Sequence, residues 1–255
     1  MTNPIPKTLR KTAATQPSKP SFKPLIILPA FNEQTNIKKV LEGIQQEAPG
    51  FPVLVVNDGS TDNTAQIAQD MGAKIISLPF NCGYGVALQT GFRFAVKNNY
   101  NLVIQMDADG QHDTRSIKFL IKEVLKSNVD VVIGSRFLGP GSYKPSLARR
   151  IGMGVFGLMA SFIIRQKITD PTSGFQALKG GAIRFVASDL YPPDYPDADF
   201  IILLQKSGYK IREIPVRMYP PTSKSMHGGS KSLYYVFKMF LSICVTLVRQ
   251  KPSRI

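Results

Sequence analysis

Short apolar runs alternate with amphipathic segments along the first half of the chain, and this alternation constrains the fold more than any other feature. The runs are rich in β-branched residues and predict strands at 25–28, 53–56, 74–78, 102–106 and 129–133. Helices are predicted between them, near 33–47, 62–71, 85–98 and 114–127. This order indicates an α/β fold with a Rossmann-like, mostly parallel sheet flanked by helices on both faces.

The pattern changes after about residue 137. Helices are predicted at 146–164, 181–188 and 197–207, a turn at 170–175, and a short strand at 210–216. The chain therefore divides into a disordered basic tail at 1–24, one folded domain at 25–220, and a final part at 221–255. That final part contains an apolar segment at 233–248 with basic ends, which predicts a C-terminal amphipathic helix.

The balance of charge points to an anionic partner. The formal net charge is +15 over 255 residues, which favours nucleic acid, an anionic membrane surface or a phosphorylated substrate. No uninterrupted apolar stretch reaches the length of about 18 residues that a spanning helix requires. Two cysteines are too few for a disulfide framework, which predicts a reducing, cytoplasmic location.

Two carboxylates, Asp107 and Asp109, follow the apolar run at 102–106 in the segment DADGQH at 107–112. Open α/β sheets bind their ligands at the carboxyl ends of the strands, which is where these side chains are expected. Carboxylates this close repel each other unless a cation neutralises them, and Mg²⁺ or Mn²⁺ prefers oxygen ligands together with substrate phosphates. The segment predicts a metal that bridges the protein and a diphosphate, with an ordinary acidic turn as the alternative.

Asp58 and Arg136 follow two other predicted strands. Asp58 lies just past the run at 53–56, where its carboxylate can accept hydrogen bonds from a base or a ribose. Helix capping accounts for the neighbouring polar residues at 60–62 but not for Asp58. Arg136 follows the run at 129–133 and can contact a sugar or a phosphate, or can be a surface cation.

These segments together resemble the family 2 glycosyltransferases with the GT-A fold. The resemblance is carried by LPAFNE at 28–33, NDGSTD at 57–62, DADGQH at 107–112, GSR at 134–136 and TSGF at 172–175. Their order and spacing match over roughly residues 25–220. Within the family, the DADGQ and SGF segments look most like dolichyl-phosphate mannosyltransferases and related polyprenyl-phosphate glycosyltransferases.

The resemblance implies a role for each matching position. The residues that would bind the nucleotide are Pro29, Ala30, Phe31, Glu33, Asp58, Asp107, Ala108 and Lys231. The ligands of Mg²⁺ or Mn²⁺ would be Asp107, Asp109 and Gln111. The residues expected to act in catalysis are Asp109, Asp199 and Arg136. The family pattern departs in the loop KSMHGGSK at 224–231, which would close over the nucleotide, because an expected arginine is missing there.

The resemblance also implies an inverting transfer of sugar from a nucleotide-sugar donor to an acceptor. A polyprenyl phosphate acceptor is already anionic and needs cations, a role that suits Arg149 and Arg150 at the head of the predicted helix 146–164. Solvated charges at the helix end are the alternative for these two residues. A glycan hydroxyl acceptor instead needs a base, and Asp199 lies where family members often carry an acid.

The basic, apolar C-terminal segment predicts peripheral binding at the inner face of the membrane. Ten Lys or Arg residues and a single acid follow residue 200, and cationic flanks attract anionic lipids. A core or oligomer-interface helix is the alternative, and a separate membrane subunit is a further expected partner.

Nucleic-acid binding would explain the charge, but Asp107 and Asp109 would repel a phosphate backbone, so no nucleic-acid partner is expected. An inactive nucleotide-sensing scaffold remains a third alternative.

Overall fold

A computed structural model describes residues 22–126, 128–138, 157–191, 198–219, 240–246 and 248. The strands are β1 (Pro24–Ala30), β2 (Val53–Asn57), β3 (Lys74–Ser77), β4 (Leu102–Gln105), β5 (Val131–Ser135), β6 (Gln176–Lys179) and β7 (Ile211–Pro215). The helices are α1 (Ile37–Glu47), α2 (Thr64–Asp70), α3 (Tyr84–Lys97), α4 (Ile117–Leu125), α6 (Gly181–Ala187) and α7 (Ala198–Lys206). A 3₁₀ turn, Thr114–Ser116, precedes α4, and residues 157–164 and 240–246 are helical and are labelled α5 and α8.

The strands form one sheet in the order β3-β2-β1-β4-β6-β5-β7. The pairs β1–β2, β1–β4, β2–β3 and β5–β7 are parallel, whereas β6 runs antiparallel to both β4 and β5. The α/β prediction and its mostly parallel sheet are confirmed. Strand β6 was not predicted, because it has only four residues and directly follows a turn. Its position in the sheet is fixed by pairing with strands distant in sequence.

The core occupies both faces of the sheet because β1 is buried on both sides. Leu25 and Ile27 belong to one apolar cluster, and Ile26 and Leu28 belong to the other. Helices α3 and α6 cover the first face, and α1 and α4 cover the second. A Cβ on Gly91 of α3 would lie 2.5 Å from Cγ2 of Ile27, so this glycine permits close packing of helix on strand.

Helix α1 begins four residues later than the sequence predicts. Asn32 has a φ of 56°, and the backbone N–H groups of Glu33 and Gln34 donate to Thr64 Oγ1 and Asp62 Oδ2. The segment therefore forms a turn that binds the loop after β2 before the helix starts. Within the described residues, no helix is long and apolar enough to cross a bilayer.

Several predictions fall outside the described residues. These are most of the basic tail at 1–24, the start of the predicted helix 146–164 with Arg149 and Arg150, the loop 224–231 with Lys231, and the first part of the segment 233–248.

Candidate functional site at the carboxyl edge of the sheet

The carboxyl ends of β1, β2 and β4 bring the predicted nucleotide-binding segments to one edge of the sheet. The three strands are parallel and adjacent, and the N–H of Asp58 donates to the carbonyl of Ala30 at 2.9 Å. Ala30 and Ala108 are buried, whereas Phe31 is 40% exposed at the end of β1. These residues lie close together because parallel strands end at the same edge of the sheet.

Asp107 is held by two side chains from other parts of the site. Its Oδ1 accepts a hydrogen bond from the Tyr84 hydroxyl at 2.8 Å, and its Oδ2 lies 3.0 Å from Nε2 of His112. Burial by itself would raise the pKa of Asp107, but the hydrogen bond and electrostatic attraction of His112, with the Tyr84 hydroxyl, outweigh burial and lower it. Asp107 is therefore ionised at neutral pH.

The surroundings of Asp109 raise its pKa, whereas those of Asp107 lower the pKa of Asp107. Its Oδ1 accepts from the backbone N–H of Gln111 at 3.0 Å, and its Oδ2 contacts the Gln111 side-chain amide. Burial raises the pKa of Asp109, and the negative charge of Asp107 raises it further. The pKa of Glu33 is also raised, first by burial and then by the charges that include Asp109 and Asp107. Among the described residues, acidic side chains that raise one another's pKa therefore gather at this edge.

The donor set fits a hard divalent cation that is shared with a ligand. Asp107, Asp109 and Gln111 offer carboxylate and amide oxygens, which Mg²⁺ and Mn²⁺ prefer. Among the described residues, no group of three or more His, Cys, Asp or Glu side chains could hold a metal by itself. A cation at this edge would therefore need water or phosphate oxygens to complete its coordination.

Asp58 fixes the loop that leads into α3. Its Oδ1 accepts from the N–H of Cys82 at 2.7 Å and its Oδ2 from the N–H of Gly83 at 2.9 Å. Gly83 has a φ of 100° and precedes the first residue of α3. Asp58 therefore holds the turn that precedes α3, and each of its oxygens keeps a further lone pair with which to accept from a ligand.

Arg136 lies in a buried ion pair with Asp170. Its Nε donates to Asp170 Oδ2 at 2.7 Å, and its Nη2 donates to Thr172 Oγ1 at 2.6 Å. Asp170 is fully buried, and the Arg136 side chain is only 6% exposed. Glu213 of β7 supports this arrangement because its carboxylate accepts from the N–H groups of Thr169 and Asp170, each at 2.8 Å. The surface-cation alternative for Arg136 is therefore wrong.

Asp199 lies in the first turn of α7 and is 2% exposed. Its Oδ1 accepts from the N–H of Phe200 at 2.8 Å, and its Oδ2 accepts from the Ser242 hydroxyl of α8. The predicted acid is therefore linked to the C-terminal helix.

Sequence reasoning gave no role to Tyr84, His112 or Asp170. His112 lies within the DADGQH segment and Tyr84 directly precedes the predicted helix near 85–98, but nothing in the pattern placed their side chains against Asp107. Asp170 was assigned only to a turn. Pro171, the next residue, favours a turn, and nothing in the sequence indicates that Asp170 pairs with an arginine.

A mixed sheet with an antiparallel β6, and acidic residues at the carboxyl edge of β4, is the architecture of the GT-A fold. The chain belongs to glycosyl transferase family 2, whose sequence model matches residues 25–190, and it is a glycosyltransferase.

Two curated relatives and one solved structure illustrate the similarity. The polyprenol monophosphomannose synthase of Mycolicibacterium smegmatis is 25% identical over 83% of this chain and 84% of its own. The UDP-N-acetylglucosamine–dolichyl-phosphate N-acetylglucosaminyltransferase of Methanococcus voltae is 26% identical over 84% of this chain and 92% of its own. The glucosyl-3-phosphoglycerate synthase of Mycobacterium tuberculosis, in complex with Mn²⁺, UDP-glucose and phosphoglyceric acid, shares the fold. It has a TM-score of 0.69 and 18% identity, over 88% of this chain and 79% of its own.

Proposed function

We propose that this glycosyltransferase moves a sugar, with inversion, from a GDP- or UDP-sugar to a polyprenyl or dolichyl phosphate at the cytoplasmic face of a membrane. The observation that carries the proposal is the negative charge that Asp107 and Asp109 bring to the carboxyl edge, where Tyr84 and His112 contact Asp107 and the N–H of Gln111 donates to Asp109. A divalent cation bound to a donor diphosphate would neutralise that charge. The names of the two curated relatives support a polyprenyl-type phosphate acceptor.

The donor would lie along the edge formed by β1, β2 and β4. Base and ribose would contact Pro29, Ala30, Phe31, Glu33 and Asp58, and Asp107 and Ala108 would contact the nucleotide. Asp107, Asp109 and Gln111 would hold Mg²⁺ or Mn²⁺, which supplies charge stabilisation for the departing nucleoside diphosphate. The Mn²⁺ and UDP-glucose complex of the structural neighbour supports this choice of cofactor and donor class. Lys231 remains a predicted clamp for the diphosphate.

The acceptor phosphate would be held by cations and would attack without a base. A phosphate monoester carries its negative charge at neutral pH, so no proton has to be removed from the attacking oxygen. Arg136 is held in one orientation by Asp170 and Thr172, which suits a cation that faces an anionic ligand. Arg149 and Arg150 remain predicted contacts of the same phosphate.

An apolar surface supports an acceptor that resides in a membrane. Leu158 and Phe162, one turn apart on α5, are 73% and 87% exposed. Further exposed apolar side chains belong to the C-terminal segment: Phe240, Leu241, Val245 and Val248. Both helices contact the end of α7, where Gln205 Nε2 donates to the carbonyl of Ile164 at 3.5 Å and Lys206 Nζ to that of Thr246 at 2.9 Å.

Replacing Phe162 by Asp is expected to weaken binding to vesicles that contain anionic phospholipid by about 10-fold to 100-fold, since burying a large apolar side chain contributes about 1.5–3 kcal/mol. Sedimentation with such vesicles measures the effect. Phe119→Asp is the matched control, because Phe119 is 55% exposed on α4 at the other face of the sheet. Equal weakening by both variants would contradict a membrane role for α5.

Replacing Asp199 by Asn separates the two acceptor classes. We expect transfer to remain within about threefold of the wild-type rate, because a phosphate acceptor needs no general base, whereas loss of a required base typically costs about 10²–10⁴-fold. Asn can keep a hydrogen bond with the Ser242 hydroxyl, which can donate or accept. Loss of transfer with intact donor binding would favour a glycan hydroxyl, as in cell-surface polysaccharide synthesis.

A donor screen tests the proposed function as a whole. The purified chain is incubated with membrane extract, Mn²⁺ and a panel of labelled GDP- and UDP-sugars, and the products are partitioned between organic and aqueous phases. We expect label in an organic-soluble lipid with at least one donor, and no such label when EDTA is present. Product confined to the aqueous phase would contradict the lipid acceptor.

A further inference from the structure

Tyr84 and His112 approach the Asp107 carboxylate from two different elements. Tyr84 is the first residue of α3 and donates to Oδ1, while His112, in the loop after β4, contacts Oδ2. Gln105 Nε2 lies 3.4 Å from the Tyr84 hydroxyl oxygen and can donate to it. That contact leaves the hydroxyl hydrogen directed at Asp107. Both carboxylate oxygens therefore have a defined partner.

Gly174 closes a third side of the same carboxylate. A Cβ on this residue would lie 2.7 Å from Asp107 Oδ2, 2.8 Å from Oδ1 and 2.8 Å from the Tyr84 hydroxyl. The turn that carries Gly174 is fixed to β5, because the Ser173 hydroxyl donates to the carbonyl of Gly134 at 2.6 Å. Any side chain at 174 would therefore have to displace the carboxylate or Tyr84.

The buried surroundings of His112 hold its ring against Asp107. Its side chain is 1% exposed, and its ring packs against Phe175 with centroids 4.8 Å apart. Within the described part of the chain, Nδ1 is buried and has no hydrogen-bond partner. Leaving Nδ1 buried and unpaired costs free energy. The other ring nitrogen, Nε2, contacts Asp107.

We propose that Tyr84 and His112 are positioning residues, which fix the Asp107 carboxylate in the single orientation that meets a cation-bound donor diphosphate. Partners that orient a metal-binding carboxylate raise affinity by reducing the freedom it loses on binding. Gly174 contributes by leaving space for the carboxylate. This inference rests on the proposed function, because it takes a nucleoside diphosphate with its cation as the ligand.

The test measures Mn²⁺ binding directly, in the presence of GDP or of UDP, by the electron paramagnetic resonance signal of free Mn²⁺. Tyr84→Phe and His112→Leu are each expected to weaken Mn²⁺ binding by about 10-fold to 100-fold, the usual effect of removing a side chain that orients a metal ligand. His112→Gln, whose amide can still donate to Asp107, should recover part of the loss. In transfer assays, the donor KM should rise while the acceptor KM stays unchanged.

Tyr100→Phe is the matched control, since it removes the same atom from a tyrosine that precedes β4, at the amino edge of the sheet, where its ring stacks on Phe94. Thermal unfolding of each variant separates positioning from folding. If His112→Leu unfolds, Tyr84→Phe decides the matter because it removes a single oxygen. Binding within about twofold of wild type in Tyr84→Phe would overturn the positioning role and leave the proposed function standing. A wild-type chain that takes up no Mn²⁺ with either nucleotide would overturn both.

Discussion

Replacing Asp109 by Asn is expected to lower kcat for sugar transfer by about 10²–10³-fold, the range seen when one group that stabilises transition-state charge is removed. The variant should remain folded. Because burial and the charge of Asp107 raise the pKa of Asp109, its ionised form costs stability at neutral pH, and an uncharged Asn removes that cost. Activity should therefore fall while the melting temperature holds or rises, as steady-state kinetics and calorimetry would show.

A suitable control for Asp109→Asn is Asp70→Asn, the same chemical change at the exposed end of α2. It should leave both transfer and stability unchanged. Transfer at the wild-type rate in Asp109→Asn would contradict a cation-binding role for this carboxylate. A large loss of stability would instead indicate that Asp109 is structural.

Replacing Asp170 by Ala is expected to destabilise the fold by about 3–5 kcal/mol, because it leaves the buried Arg136 guanidinium without its counter-charge. The Arg136 backbone N–H, which donates to Asp170 Oδ2 at 2.9 Å, also loses its acceptor. For a chain of this size, the melting temperature should fall by roughly 6–20 °C. Thermal and denaturant unfolding measure both quantities.

Two variants test the cause of that destabilisation. The double variant Arg136→Met with Asp170→Leu should recover most of the lost stability, since apolar side chains of similar size can replace a buried ion pair at little cost. Asp189→Ala breaks the exposed Arg93–Asp189 pair, whose side chains are 55% and 95% exposed, and should change stability by less than about 1 kcal/mol. Equal destabilisation by Asp170→Ala and Asp189→Ala would show that burial of the pair is not the cause.

The sequence predicted the parts of the fold that depend on local pattern. Strands β1, β2, β4 and β5 are near-continuous apolar runs, and they are buried on both faces as such runs require. Strand β6 was not predicted because Gln176–Lys179 forms a strand only by pairing between β4 and β5. The late start of α1 was not predicted for a similar reason. The residues just before the helix, Glu33 and Gln34, donate hydrogen bonds to residues about 30 positions away.

The site was predictable wherever a residue follows a strand. Asp58, Asp107 and Asp109 lie at the edge where parallel strands end, as expected. Contacts between side chains from different loops were not predictable: Tyr84 meets Asp107 across 23 positions, and Arg136 meets Asp170 across 34. A single sequence shows which chemical groups such residues have, but it does not show which residues they contact.

The most direct test of the central claim follows two labels from one donor. The purified chain is given polyprenyl monophosphate, Mn²⁺ and a nucleotide sugar chosen by the donor screen, labelled with ¹⁴C in the sugar and ³²P in the β-phosphate. Glycosyl transfer to the lipid phosphate predicts that ¹⁴C enters the organic phase while ³²P stays in the aqueous phase as nucleoside diphosphate. Entry of ³²P into the lipid, or the absence of both labels from it, would contradict the account.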